Sequence, residues 1–363
     1  MRILHFTTTL SCGGMERQLS YLAPALRELG HQVHVAYIRG GFFEEEMAAR
    51  GVAMHHIRAL NGFDPRIVAQ ILGLIKRIRP DLVQTWFRKM DFLAGPAAAC
   101  MGIPWVLREP NSGARWRPYA FNNYLRRKAA AVASAIVSNS ASGDAYWESC
   151  GSPAIRRVIK NALPFSEIRT ELHAGMPAVP DWPYVLYAGR FDHSQKNFRV
   201  LLAAAEIFVS RSGNRHKFLM CGNGPERAAA EARIRSCGLE GKILLSSTVH
   251  RPWRLAAGAA AFVSASNFEG CPNSVLEAMA AGCPLALSDI SEHREILGDD
   301  AAFYFDRSSP AAIADAAALA ASGGSLPREK AAAAAKVAAA WNSPADTARE
   351  YDSLYAELLH GRR

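Results

Sequence analysis

The densest chemistry in the sequence lies between Asn267 and Met279. Glu269 and Glu277 stand there with seven residues between them, the first in a loop and the second in the helix that follows. Gly270 and Pro272 permit a tight backbone approach, and Asn273 with Ser274 offers amide donors at the helix start. Such amides, with the positive end of the helix dipole, suit a diphosphate. Glu277 could then accept from ribose hydroxyls and Glu269 could reach a sugar ring. An ordinary first turn whose acids favour the dipole fits the same spacing. A second cluster, Gly189 to Phe198, carries Arg190 and Lys196 six residues apart. Placed on a loop at a strand's carboxyl end, both can address one diphosphate. Fixed cations there stabilise the charge that builds on a leaving nucleoside diphosphate without a metal. A solvent-facing basic loop has the same composition.

Other phosphate motifs are weaker or missing. The sequence has no G-x-x-x-x-G-K-[ST]. Gly222-Asn223-Gly224-Pro225-Glu226-Arg227 opens like a dinucleotide fingerprint but puts Arg227 where the third glycine belongs. The loop Ser11-Cys12-Gly13-Gly14 has glycines without a fingerprint, so NAD binding loses support.

Loops of this kind need strands to hold them, and the hydrophobic pattern supplies those. Arg2 to Thr7 reads as a strand, Glu16 to Leu29 as a helix closed by Gly30, and His31 to Tyr37 as the next strand. The alternation continues with helices at Asp64–Arg79, Phe92–Met101 and Tyr119–Ala133, and strands at Asp81–Thr85, Pro104–Arg108 and Ala135–Ser138. It breaks between Asn161 and Pro183, where Pro164, Pro177, Pro180 and Pro183 mark a linker. Strands then recur at Tyr184–Ala188, Lys217–Cys221, Ile243–Leu245, Ala261–Ser264 and Pro284–Ser288. Between them the pattern puts helices at Phe198–Val209, Glu226–Cys237 and Asn273–Ala281. The alanine-rich stretch 311–340 reads as packed helices, alanine being the best helix former. The fold class is therefore α/β, two doubly wound parallel-sheet domains, with a ligand cleft expected between the carboxyl ends of both sheets. The boundaries read as 1–163, a linker at 164–182, a second domain at 183–343, and a terminal helix at 344–363.

Composition narrows the partners. No run nears the roughly 20 apolar residues that span a bilayer. Arg2 to Phe6 reads as a strand, not a secretory h-region. The seven cysteines, at 12, 100, 150, 221, 237, 271 and 283, form no C-x-x-C pair. That argues against a disulfide framework and a zinc ribbon, and for a cytoplasmic setting. Residues 1–165 hold 21 Lys+Arg against 11 Asp+Glu, whereas the remainder holds 21 against 22. The whole cationic excess lies in the first half, which favours an anionic partner there or a merely solvated basic surface.

Together these residues resemble the family 4 retaining glycosyltransferases of GT-B fold. The resemblance rests on Gly13-Gly14-Met15-Glu16-Arg17, Arg190 with Lys196, Gly222-x-Gly224-Pro225 and the Glu269-x7-Glu277 block. Ala280-Ala281-Gly282-x-Pro284, Glu295-Ile296 and the stretch Trp341 to Tyr355 continue it. It implies that Glu269 contacts the transferred sugar and Glu277 holds the ribose. Arg190 and Lys196 would bind the donor diphosphate, and Gly13 and Gly14 would let that phosphate approach the backbone. It also implies two Rossmann-like domains facing a central cleft, a last helix that crosses back to the first domain, and no metal or other cofactor. In such enzymes the donor's own phosphate helps deprotonate the acceptor on the face it leaves. Many relatives carry a histidine where this chain has Arg108-Glu109-Pro110-Asn111, so the role is vacant or falls to Arg108, Glu109 or Asn111. The family's Asn-Gly-Val-Asp at the hinge is here Asn161-Ala162-Leu163-Pro164.

On the acceptor side, Trp86-Phe87-Arg88-Lys89, Arg115-Trp116-Arg117-Pro118-Tyr119 and Tyr124-Leu125-Arg126-Arg127-Lys128 interleave aromatics with cations. Arg126, Arg127 and Lys128 suit an anionic membrane surface, and Trp86 suits a stacked glycan. Cations lying on aromatics at a core rim would look the same. No nucleic-acid module accompanies them, so nucleic acid is not an expected partner. The expectation is a metal-independent hexosyltransferase, peripheral on the inner face of the plasma membrane. It would move a sugar from a nucleotide sugar, UDP-linked by family habit, to a lipid-linked, polysaccharide or lipopolysaccharide acceptor. The competing readings are a sugar-nucleotide epimerase of GT-B-like fold and a non-catalytic glycan- or membrane-binding protein.

Overall fold

A computed structural model describes residues 1–61, 64–112, 120–175, 180–211 and 215–361, and the side chains of all of these except 120–122. The chain divides into two compact units, Met1–Ala162 with Asn342–Arg363, and Leu163–Trp341. The pentad Arg115 to Tyr119 lies outside the described residues.

The first unit is built on seven parallel strands: β1 Arg2–Thr9, β2 Gln32–Arg39, β3 Ala53–His56, β4 Leu82–Thr85, β5 Trp105–Glu109, β6 Ala135–Ser138 and β7 Ile155–Val158. Their order is β3-β2-β1-β4-β5-β6-β7, a doubly wound sheet that reverses direction at β1. The central strands are buried on both faces and read as continuous apolar runs for that reason. The last helix, Pro344–His360, completes this unit. Ala348, Tyr351, Leu354, Tyr355 and Leu358 recur at helical spacing and join the core formed by Leu19, Leu22 and Leu26 of the Gly14–Glu28 helix. A capping box between Ser343 and Asp346, with Pro344 at the first helical position, starts that helix.

The second unit has six parallel strands: β8 Tyr184–Ala188, β9 Lys217–Cys221, β10 Ile243–Ser246, β11 Ala261–Ser264, β12 Leu285–Ser288 and β13 Phe303–Phe305. They run β10-β9-β8-β11-β12-β13, so the direction reverses between β8 and β11. Those two strands pair in parallel, Ala261 opposite Val185 and Phe262 opposite Leu186, and the loops that leave their carboxyl ends are neighbours. The alanine-rich stretch forms two helices, Pro310–Ala320 and Ser325–Ala339, that bury Ala317, Ala320, Ala334 and Ala338 in the cores.

Three short strands differ from the sequence reading. β3, β7 and β13 are edge strands of three or four residues, half-exposed, and in β7 half-charged, so alternation leaves no mark on them. The linker expected at 164–182 is corrected as well. Residues Phe165–His173 form a helix that buries Ile168 in the second unit. Its Glu171 accepts from Arg251 at 2.5 Å and from the Trp253 indole at 2.9 Å, which pins the helix to that unit. Pro164 stands at the start of this helix, and Pro177 lies outside the described residues.

Candidate active site

The switch between β8 and β11 places the two chemical clusters side by side. After β8 the chain turns through Gly189, Arg190 and Phe191 into the one-turn helix His193–Lys196. Asp192 caps that turn, accepting from the Gln195 amide at 3.0 Å and the Ser194 hydroxyl at 2.6 Å. After β11 the chain runs through Ser266, Asn267 and Glu269 into the helix Asn273–Ala280. Asn267 stitches the loops together: its amide donates to the Gln195 carbonyl at 2.7 Å, and its side chain to the His193 and Ser194 carbonyls at 3.2 Å each.

Lys196 and Glu269, widely separated in sequence, meet here. Lys196 Nζ lies 2.5 Å from Glu269 Oε1, Ser266 Oγ donates to the same oxygen at 2.5 Å, and Gln195 Nε2 donates to Oε2 at 3.3 Å. Burial alone would push the Glu269 carboxyl up. Lys196, its hydrogen bond, Ser266 and His293 outweigh that and hold it below the ordinary carboxylate range. Glu269 is thus an oriented, ionised carboxylate at neutral pH. Arg190 behaves differently: its side chain is 58% exposed, and its one ion pair among the described residues is to Asp192, 4.0 Å away. That guanidinium keeps most of its donors for a ligand.

The helix Asn273–Ala280 begins at Pro272, and its first i→i−4 bond is donated by Leu276 to the Pro272 carbonyl. The amides of Asn273 and Ser274 precede that bond, in the position where a helix start can hold an anion. Gly270 and Glu277 are buried beside it. Gly222 is also required by packing. A Cβ there would come within 1.9 Å of the Gly189 carbonyl oxygen, and one on Gly224 within 2.3 Å of the Phe191 carbonyl oxygen. The two loops are bonded edge to edge, Phe191 N to Asn223 O at 3.0 Å and Glu226 N to Phe191 O at 3.1 Å. These glycines are required by the packing of one loop against the other. Arg227, the residue that spoils the fingerprint, donates to the Gly222 and Ser246 carbonyls at 3.1 and 3.0 Å and ties both loops to β10.

In the first unit, Gly13 caps the Gly14–Glu28 helix, and the Glu16 carboxylate folds back over it, 2.2 Å from where a Gly13 Cβ would stand. Ser11 Oγ donates to Glu16 at 3.1 Å. Of the remaining expected contacts in this unit, Arg108, Trp86 and Glu109 need correction, because all three lie in the interior. Arg108 is buried and fully engaged: it donates to the Ile159 carbonyl at 3.2 Å, to Asn161 Oδ1 at 2.7 Å and to the Tyr351 hydroxyl, and stacks near Trp86 and Tyr351. It clamps the last helix to β5. Trp86 is 1% exposed and donates to His5 Nδ1 at 3.2 Å, so no glycan can stack on it. Glu109 is wholly buried between Arg126 and the Trp147 indole, which donates at 3.2 Å. Asn111 is half-exposed, and its amide donates to Glu109 Oε1 at 3.0 Å.

Arg126 is not part of a membrane patch. It is 3% exposed, donates to Asp91 Oδ2 at 2.8 Å and to Glu109 Oε2, and lies 5.1 Å from the Trp147 ring. Burial pushes the Asp91 and Glu109 carboxyls up, against the pull of Arg126 between them. Helical spacing explains the split, because Arg126 faces the sheet while Arg127 and Lys128 turn to solvent beside exposed Tyr124 and Leu125. Two residues of the site escape the sequence reading. Ser266 lies just past β11 and His293 in the Ser291–Leu297 helix that follows β12; the serines at these strand ends, Ser264, Ser266 and Ser288, are a signal for Ser266, and His293 has none.

Comparison with known proteins agrees with this architecture. Residues 12–166 match the profile described as Glycosyltransferase Family 4, and residues 169–337 that of Glycosyl transferases group 1. An N-acetylgalactosamine-N,N'-diacetylbacillosaminyl-diphospho-undecaprenol 4-alpha-N-acetylgalactosaminyltransferase from Campylobacter jejuni is 30% identical over 154 residues, 41% of this chain and 39% of that relative. EpsF of Bacillus subtilis is 24% identical over 79% of both chains. Among solved structures, Anabaena HepE in complex with UDP and glucose superposes with a TM-score of 0.82 at 16% identity, over 98% of this chain and 100% of that one. WaaG, a glycosyltransferase involved in lipopolysaccharide biosynthesis, gives 0.74 at 12% identity over 96% of this chain and 98% of its own. The two profiles between them take in nearly the whole chain, and the chain belongs to the group 1, family 4 glycosyltransferases, with their GT-B fold.

Proposed function

We propose that this chain is a retaining, metal-independent hexosyltransferase that moves a sugar from a UDP-linked donor to a lipid-linked or polysaccharide acceptor. The observation that carries the reading is the oriented Lys196–Glu269 pair beside an Arg190 guanidinium with donors to spare, at the switch point of the second unit. The donor diphosphate would lie across Arg190, Lys196 and the first amides of the 273–280 helix, with Glu277 on the ribose and Glu269 on the sugar. In the reaction, the acceptor oxygen bonds the anomeric carbon on the face that the diphosphate leaves. The bond from that carbon to the phosphate oxygen breaks, and the acceptor proton passes to a departing phosphate oxygen. Charge then accumulates on the diphosphate, where the two cations stabilise it as a metal ion otherwise would.

The relatives support the donor and acceptor classes. HepE is described in complexes with UDP and with UDP-glucose, and the Campylobacter relative is named for transfer onto a diphospho-undecaprenol-linked sugar. No helix among the described residues is long and apolar enough to cross a membrane. The outward Arg127 and Lys128, with Tyr124 and Leu125, would hold the first unit against an anionic membrane surface that carries such an acceptor.

Thermal unfolding in EDTA with UDP, GDP, ADP or NAD at about 1 mM tests the donor site. A ligand at about a hundred times its Kd stabilises by about 2.7 kcal/mol, a shift of several degrees. A rise with UDP alone is the expected result. A rise with another nucleoside diphosphate moves the donor class, and silence from all three, or a response to NAD only, overturns the reading.

A further inference from the structure

His293 lies in the Ser291–Leu297 helix after β12 and is wholly buried. Its Nδ1 is 2.8 Å from the Ser288 carbonyl oxygen, an acceptor only, which fixes the ring as the Nδ1–H tautomer. Ser288 Oγ donates to the Ser266 carbonyl at 2.8 Å, and Ser266 Oγ donates to Glu269 Oε1 at 2.5 Å. Ser288, Ser266 and Glu269 are themselves 0%, 1% and 4% exposed. Three hydrogen bonds, joined to one another through the Ser288 and Ser266 residues themselves, therefore link the imidazole, across the ends of β12 and β11, to the carboxylate that Lys196 holds from the other side.

One nitrogen stays outside these bonds. His293 Nε2 is buried and has no hydrogen-bond partner among the described residues. Leaving a buried acceptor unsatisfied is destabilising, a penalty that an apolar side chain at this position would not incur. A histidine in such a place calls for a reason other than packing. Its electrostatic neighbours supply one, since the ring interacts with both Glu269 and Lys196.

We propose that His293 is a positioning residue for Glu269, its Nδ1–H holding the Ser288–Ser266 relay that aims the carboxylate. The inference deepens the transferase reading and rests on it for the role of Glu269. The relay itself can be tested without turnover. An asparagine can place its Nδ2 amide where Nδ1–H stands, whereas leucine fills the space and donates nothing.

The experiment compares wild type, His293→Asn and His293→Leu by two readouts. The first is the titration of the Glu269 carboxyl, followed by carbon NMR of glutamate-labelled protein and assigned with Glu269→Gln. His293→Leu should raise its midpoint and His293→Asn should return it to the wild-type value. The second is steady-state transfer from UDP-glucose, for which His293→Leu should lower kcat about 10- to 100-fold with KM changed less than about threefold. His293→Asn should recover most of that loss. An unmoved Glu269 titration in His293→Leu overturns the relay, as does an equal shift in both variants. A moved titration with wild-type kcat overturns its mechanistic role. Absence of UDP binding in the wild type defeats the transferase reading and leaves the titration result to judge the relay.

Discussion

Two places in this molecule gather arginine, carboxylate and aromatic groups at the carboxyl ends of parallel strands, and they put them to opposite uses. In the first unit, Arg126 sits between Asp91 and Glu109, with Trp147 over it, Thr85 on Asp91 and Trp105 on Thr85. Every member is buried and hydrogen-bonded to another member of the network. In the second unit, Glu269 is equally buried, yet its partner Lys196 is 18% exposed and Arg190 is 58% exposed. A network closed on all sides specifies a core. One that is closed on the carboxylate and open on the cations is arranged for an anion that arrives from outside. Residue types alone do not separate the two cases; the exposure of the cation does.

The largest expected effect falls on the closed network. Arg126→Ala leaves two carboxylates buried without their counter-charge, at a cost of about 3–5 kcal/mol. At 2–4 °C per kcal/mol for a unit of this size, the unfolding midpoint should drop by roughly 10 °C. Transfer by the surviving folded protein at low temperature should stay close to wild type. A midpoint within a degree of wild type would remove the contrast between the two regions. Glu269→Ala is the converse case. It should lower kcat about 10²- to 10³-fold. It also releases Lys196 from its ion pair, so UDP should bind at least as tightly as to wild type. Weaker UDP binding would mean that Glu269 serves the diphosphate and not the sugar.

The asymmetry between the regions also explains what the sequence could and could not tell. Strands β1, β8 and β11 are apolar runs, and the loops after β8 and β11 carry Arg190, Lys196, Glu269 and Glu277 in recognisable spacing. That Lys196 and Glu269 would touch follows only from the β8–β11 pairing, a long-range fact that no local pattern contains. At Gly222 the sequence does not separate two demands, because loop-on-loop packing and ligand approach both forbid a Cβ. Arg126 looked like its neighbours Arg127 and Lys128 because a run of cations hides the 100° turn per residue that sends one inward. The interior roles of Trp86 and Arg108 are hidden from the sequence for a related reason. Their partners, His5, Asn161 and Tyr351, are far away in sequence, and Tyr351 belongs to the final helix. His293 leaves no trace because its link to Glu269 runs through two backbone carbonyls and two hydroxyls that no side-chain pattern records.

Smaller effects sharpen the open end of the comparison. Lys196→Ala removes a ground-state and leaving-group contact together, so it should raise the donor KM and lower kcat, the latter by about 10²-fold. Arg190→Ala should do the same more weakly, by about tenfold, because an exposed guanidinium is partly screened by solvent. Equal effects from the two would mean that Arg190 closes on the ligand as fully as Lys196 does. Unchanged kinetics in both would place the diphosphate elsewhere.

The smallest effect concerns the helix Ala120–Ala130, where the inward and outward uses of arginine are adjacent residues. Replacing Arg127 and Lys128 by Ser while keeping Arg126 leaves the buried network intact, so the unfolding midpoint should hold. Binding to vesicles containing an anionic lipid should fall about fivefold for each cation removed, roughly 25-fold for the pair, at low ionic strength. The difference should vanish in concentrated salt, because charges on an exposed helix face are screened within a few ångströms there. Neutral vesicles provide the control for the apolar contribution of Tyr124 and Leu125. Equal binding of the variant and wild type to anionic vesicles would reduce Arg127 and Lys128 to a solvated surface. The cationic excess of the first half would then have to act through its other lysines and arginines. A fall in the midpoint instead would show that the outward cations support the core after all, and the division of this helix into an inner and an outer arginine would fail.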